Sequence, residues 1–160
     1  MGRYRLPLWL EFTRGTKNRQ NEAVGLSDAE VVELATAFRP FGFWRFDIDS
    51  GHLFGTEDIS HIFGLDPHDG PMNLVAVGAR IHPDDMPLLM ETFERASAGR
   101  LTYHNIYRVR NNADGYKYVR TVGKYRERPG TAGEVVGITY EFFERRPGVS
   151  FFLDDAPMDD

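Results

Sequence analysis

Histidine, aspartate and asparagine are the side chains of this sequence best equipped for chemistry, and three places concentrate them. His82-Pro83-Asp84-Asp85 brings an imidazole and two carboxylates within four residues. Such a group could ligate a metal, or serve a small α+β enzyme that uses His82 and Asp84 as acid and base. Neighbours in sequence seldom converge on one ion or substrate. A structural role accounts for the same residues: histidine before proline fixes a turn, and an aspartate caps the helix that follows. The expectation is no catalytic residue and no metal site. Asn105 lies between Tyr103 and Tyr107 in an alternating stretch, so it shares their face. A buried asparagine needs partners, and Thr121, Thr139 or a bound ligand could supply them. His61 and His104 read as surface or hydrogen-bonded histidines.

No cysteine occurs in the 160 residues. That excludes disulfides, thiolate catalysis, cysteine metal sites and cysteine-linked flavin photochemistry, and it fits a cytoplasmic protein. The length suits one domain able to bury about 70% of the surface its unfolded chain exposes. Leu6-Pro7-Leu8-Trp9-Leu10 is too short for a signal peptide or a membrane span. A net charge of −5 disfavours a general nucleic-acid binder. Arg108, Arg110, Lys117, Arg120 and Lys124 could line one outer face of a sheet, where interspersed tyrosines favour protein contact over nucleic acid.

The elements that must position these residues begin with the stretch from Leu101 to Phe143. Leu101, Tyr103, Tyr107 and Val109 alternate, Asp114-Gly115 marks a hairpin, a second strand runs from Tyr116 to about Arg126, and Glu134 resumes a third after Arg128–Gly133. Upstream, Trp44, Phe46 and Ile48 share one face of a strand that turns at Asp49-Ser50-Gly51 into a short return strand, His52–Gly55. Glu57–Phe63 predicts a short helix closed by Gly64, and Met72–Ile81 one or two helical turns. Met86, Leu89, Met90, Phe93 and Ala96 form the buried stripe of a longer helix, stopped by Gly99. Ser27-Asp28-Ala29-Glu30 is a capping box opening a helix over 27–39, with Val31, Leu34, Ala35 and Phe38 on one stripe and Pro40 ending it. The fold class is α+β: a five-stranded antiparallel sheet with helices on one face, plus the N-terminal amphipathic helix. Residues 1–25 are a basic, flexible segment, residues 26–146 the domain, and residues 147–160 an acidic, apolar tail.

In this order the residues resemble the PAS domain family, in the subgroup common in bacterial signalling proteins, here as a free-standing single domain. The resemblance rests on Gly42-Phe43-Trp44-Arg45-Phe46-Asp47, Ile62-Phe63-Gly64, His82-Pro83-Asp84-Asp85, Tyr107-Arg108-Val109 followed by Asp114-Gly115, and Gly137-Ile138. It covers roughly residues 40–145. Ile106 stands where the family often has glutamate, Tyr118 where it often has tryptophan, and Glu141-Phe142-Phe143 where it has Asp-Ile-Thr. Pro147-Gly148 then forbids a continuous signalling helix, so any output is expected to act in trans.

The resemblance implies a non-catalytic regulator of signal transduction, acting by protein–protein interaction on a histidine kinase or two-component pathway, and usually dimeric. The second reading is a small-molecule sensor that holds an apolar metabolite in the family's pocket. Candidates for that pocket are Trp44, Phe46, Tyr103, Asn105, Tyr107, Thr121 and Thr139. A filled core with internal bonds is the competing arrangement, favoured by an aromatic content of 13%. A heme is disfavoured, because its histidine in relatives usually lies in the long helix and Met86–Ala98 has none. Val31, Leu34, Ala35 and Phe38 are assigned to a dimer or partner contact. Phe151, Phe152 and Leu153 are assigned as anchors of the tail, docked in a groove in trans or folded back on the domain.

Overall fold

The structure, a computed structural model, describes residues 9–13, 19–111 and 114–142. Phe151, Phe152 and Leu153 lie outside the described residues, as does the tail around them.

Six strands form one sheet: β1 (Trp9–Thr13), β2 (Phe41–Asp47), β3 (Leu53–Gly55), β4 (Thr102–Arg110), β5 (Tyr116–Arg126) and β6 (Glu134–Phe142), in the order β1-β4-β5-β6-β2-β3. Every pairing is antiparallel. Four α-helices are α1 (Asp28–Thr36), α2 (Glu57–Phe63), α3 (Leu74–Arg80) and α4 (Met86–Gly99), and a 3-10 turn precedes α1 at Gln20–Val24. The α+β class holds, with six strands rather than five.

The extra strand comes from the segment expected to be flexible. Trp9–Thr13 pairs with Thr102–Ile106 and covers the edge of β4, whose amides would otherwise face water. Phe12 packs beside Ala96, Tyr103 and Val135, which supplies the apolar contact that a terminal strand needs. Past the end of β1, Ile81 bridges Val109 and the His82 amide donates to the Arg108 carbonyl at 2.9 Å, continuing the cover.

The alternation read in β4 is realised: Tyr103, Asn105, Tyr107 and Val109 are buried and their neighbours are not. Helix α2 ends on Gly64 at φ 68°, a left-handed position that glycine adopts without strain. Two helix ends differ from expectation. Helix α1 opens on the expected capping box, with Ser27 and Glu30 bonded reciprocally, but it ends at Thr36. Ala37 leaves it with ψ 144° and Phe38 turns left-handed at φ 63°, so the chain exits before Pro40 can act. Gly99 is the last residue of α4, and Arg100, left-handed at φ 52°, caps it. Of the stripe expected on α4, Ala96 alone is fully buried, and Met90 is 58% exposed. The stripe faces a cavity rather than a filled core.

Candidate functional site

The inner face of the sheet and helices α2, α3 and α4 line an open cavity of about 480 Å³. The filled core favoured by the aromatic content is thus not what forms. All seven candidates, Trp44, Phe46, Tyr103, Asn105, Tyr107, Thr121 and Thr139, line this cavity.

Strand register explains how residues so far apart meet. Asn105 faces Thr121, Thr121 faces Thr139, and Thr139 faces Gly42, making one row across β4, β5, β6 and β2. The adjacent row runs Tyr103, Gly123, Gly137, Trp44. The two glycines carry the two rings. A Cβ on Gly123 would stand 2.8 Å from the Tyr103 ring, and one on Gly137 would collide with the Trp44 ring and stand 2.5 Å from the Val122 carbonyl oxygen. Side chains there would lift both aromatics off the sheet and fill the space above it.

The polar groups on the floor form a chain. The Trp44 indole N–H donates to Thr139 Oγ1 at 3.1 Å, Thr139 and Thr121 share a hydrogen bond of 2.7 Å, and Thr121 and Tyr107 share one of 3.1 Å. The partners open to Asn105 are Thr121, Thr139 or a bound ligand. The two threonines bond each other, and the buried Asn105 Oδ1 has no partner among the described residues. Burial pushes the Tyr107 phenol up to about 12, against the opposing bonds from Thr121 and Thr139, and raises Tyr103 as well. Both phenols are therefore neutral hydrogen-bonding groups at physiological pH.

The remaining wall is apolar and comes from the helices, with Ile59 and Phe63 of α2, Val77 of α3, and Met86, Leu89 and Phe93 of α4. Among the described residues Glu94 is the single carboxylate on the lining, and no lysine, arginine or histidine contributes. Reading the sequence missed this half of the site, although the stripes of α2 and α4 carried its signal.

His82, Asp84 and Asp85 have other partners. His82 Nδ1 accepts from the Asp84 amide at 3.1 Å, and its ring lies 4.6 Å from that of Tyr116. Asp85 sits at the cap position of α4, yet its carboxylate does not cap the helix. Wholly buried, it accepts from the backbone N–H of Arg108 and from two nitrogens of its guanidinium. The expected cap is thus an ion pair that ties the start of α4 to β4. His61 lies on α2 beside Glu57 and Asp58 at 3.9 and 4.0 Å, and His104 stands 3.3 Å from Glu11; neither lines the cavity. Among the described residues no cluster of three or more histidine and acidic side chains is arranged to hold a metal ion.

The five basic residues assigned to one outer face divide. Arg108 turns to Asp85, Arg120 bonds the hydroxyl of Tyr140, and Arg110 lies 6.0 Å from the centre of the Tyr116 ring. Lys117 alternates to the opposite face and pairs with Glu141 at 2.8 Å. Helix α1 has no buried residue: Val31, Leu34 and Phe38 are 38%, 65% and 100% exposed, and Ala35 is exposed too. Among the described residues no helix is long and apolar enough to cross a membrane.

Comparison with known proteins follows the same outline. The family model described as the PAS fold matches residues 52–139. No curated protein matches the chain. Among solved structures, a sensory box histidine kinase/response regulator from Burkholderia thailandensis E264 superposes with a TM-score of 0.54 at 22% identity, covering 69% of this chain and 82% of that one. The N-terminal domain of a diguanylate cyclase with a PAS/PAC sensor from Marinobacter aquaeolei gives 0.53 at 16% identity, over 63% of this chain and 94% of that one. An RNA-binding light-oxygen-voltage receptor gives 0.56 at 19% identity over 64% of this chain, which spans only 29% of that receptor. At these identities the likeness is one of fold.

Proposed function

The chain belongs to the PAS fold family, and we propose that it is a non-catalytic signalling module that holds a small, largely apolar molecule in its cavity and regulates another protein in trans. The observation that carries this reading is the cavity itself. About 480 Å³ lies within the range of small-molecule sites, and an apolar wall with a few converging polar groups is their usual make-up. A space of that size, left open by two glycines beneath two aromatic rings, offers an apolar molecule a large apolar surface to take out of water.

The regulatory half rests on α1. Its apolar residues Val31, Leu34 and Ala35, with Phe38 left outside the helix by its early end, meet no other part of the described fold closely enough to be buried. Exposed large apolar side chains grouped on one element mark a contact surface. We assign it to a second copy of the chain, in a homodimer whose output partner is a signalling protein such as a histidine kinase, working in the cytoplasm.

Native mass spectrometry of the protein from its own cells, compared with the same protein after unfolding and refolding, tests the ligand. The expected result is a small-molecule adduct that refolding removes, together with a higher melting temperature before refolding. Identical mass and identical melting temperature in the two preparations would reject the sensor reading.

A further inference from the structure

The hydrogen-bond balance on the cavity floor narrows what can bind there. Tyr107, Thr121 and Thr139 bring three hydroxyl hydrogens, one each, and Trp44 brings its indole hydrogen. The Trp44 contact uses the indole hydrogen. The two contacts among the hydroxyl oxygens use one hydroxyl hydrogen apiece. One hydroxyl hydrogen is therefore left over whichever way the chain is oriented. Beside it, the buried Asn105 Oδ1 is an acceptor without a donor. The spare hydrogen sits on Tyr107, Thr121 or Thr139 according to the orientation of the chain. Thr121 is the direct cross-strand partner of Asn105, about 4.8 Å away along the hydrogen-bonding direction, and Tyr107 lies two residues along β4, so the unused acceptor and the hydroxyl chain share the inner face of the sheet.

The charge of the lining decides the rest. Among the described residues no lysine, arginine or histidine faces the cavity, so a carboxylate or phosphate placed on this floor would be buried without a counter-ion. An amine, protonated at neutral pH, could satisfy Asn105 Oδ1 and has the Glu94 carboxylate on the lining as counter-ion, but in that form it offers no acceptor to the spare hydroxyl. A hydrocarbon would leave both unpaired at the full cost of desolvation.

We propose that the cavity selects an uncharged ligand that carries an N–H donor next to a carbonyl acceptor, as in a carboxamide or lactam, on an apolar body, with the N–H directed at Asn105 Oδ1 and the carbonyl accepting from the Tyr107–Thr121–Thr139 hydroxyls. This rests on the reading of the cavity as a ligand site.

The test uses the full chain and four probes that share a nonyl body: nonanamide, N,N-dimethylnonanamide, nonanoate and nonylammonium, titrated at pH 7 by calorimetry. Nonanamide should bind about tenfold or more tightly than each of the others, the worth of one well-made buried hydrogen bond. Asn105→Leu should remove its advantage over the dimethyl compound, while the dimethyl compound binds as before, which also shows that the variant is folded. Nonanoate or nonylammonium binding as tightly as nonanamide, or a preference that survives Asn105→Leu, overturns the assignment of ligand class and leaves the cavity as an apolar site. Failure of all four probes to bind overturns both.

Discussion

Arg108 donates three hydrogen bonds to Asp85, from its backbone N–H at 2.9 Å, from Nε at 3.1 Å and from a terminal nitrogen at 2.7 Å, across 23 positions of sequence. The Asp85 side chain has no exposure to solvent and that of Arg108 has 24%. The bond to Asp85 holds the guanidinium protonated above its already high range. Removing one member of such a pair strands the other, at a cost of about 3 kcal/mol or more. Arg108→Ala is expected to lower stability by that order in urea melts, and Asp85→Ala likewise. The double variant should fall well short of the sum, because neither charge is then stranded. Additive losses would show that the two residues act separately.

Gly137 lies beneath the Trp44 ring. Gly137→Ala forces the ring, the Val122 carbonyl or both to move, since neither stands at a distance that a Cβ can accept. Overpacking of this kind costs about 1–3 kcal/mol. A lowered melting temperature with altered near-UV circular dichroism is the expected outcome. An unchanged spectrum and melting temperature would mean that the ring does not rest on the glycine.

Tyr107 sets the alkaline limit. Its folded pKa is raised to about 12, whereas an unfolded tyrosine ionises near 10. Below about pH 10 both states keep the proton and its contribution is intact. From about pH 10 to 12 only the unfolded chain releases it, so stability falls by up to about 3 kcal/mol. Urea midpoints measured at pH 9 and pH 11 should diverge in the native sequence and diverge less in Tyr107→Phe, where the raised Tyr103 phenol still contributes. Equal slopes in the two proteins would contradict the burial of this phenol.

Much of this arrangement was legible in the sequence, for a physical reason. Period-two alternation in β4 and β2 identifies which of their residues face inward, and register then brings Asn105, Thr121 and Thr139 into one row. On β6 the apolar series Val136, Ile138, Tyr140, Phe142 lies on the other face from Thr139, so alternation alone would have misled there. What faces inward does not say how much space lies above it. The two glycines Gly123 and Gly137 look like ordinary strand interruptions until their pairing places them under Tyr103 and Trp44. The Asp85–Arg108 pair has no local signature, because the partners lie on different elements, and an aspartate ahead of a helix reads as a cap. Trp9–Thr13 was hidden by the basic residues on either side, which read as a flexible segment although Leu10 and Phe12 alternate as a strand requires.

Helix α1 carries the proposed dimer contact. Because Val31 and Leu34 are exposed in the single copy, the Val31→Glu, Leu34→Glu double variant is expected to keep its melting temperature at high dilution and to halve the mass measured by light scattering. A mass equal to that of the native sequence would remove α1 from the interface.

The claim that the cavity is a ligand site is tested most directly at Trp44, whose indole N–H begins the hydrogen-bond chain on the cavity floor. In protein labelled with nitrogen-15 at tryptophan, Trp9→Phe identifies the Trp44 indole resonance. Titration with nonanamide is expected to move that resonance saturably, as the ligand enters and re-orients the Thr139–Thr121–Tyr107 chain. A Trp44 indole resonance that stays fixed up to the solubility limit of the probe would contradict the account.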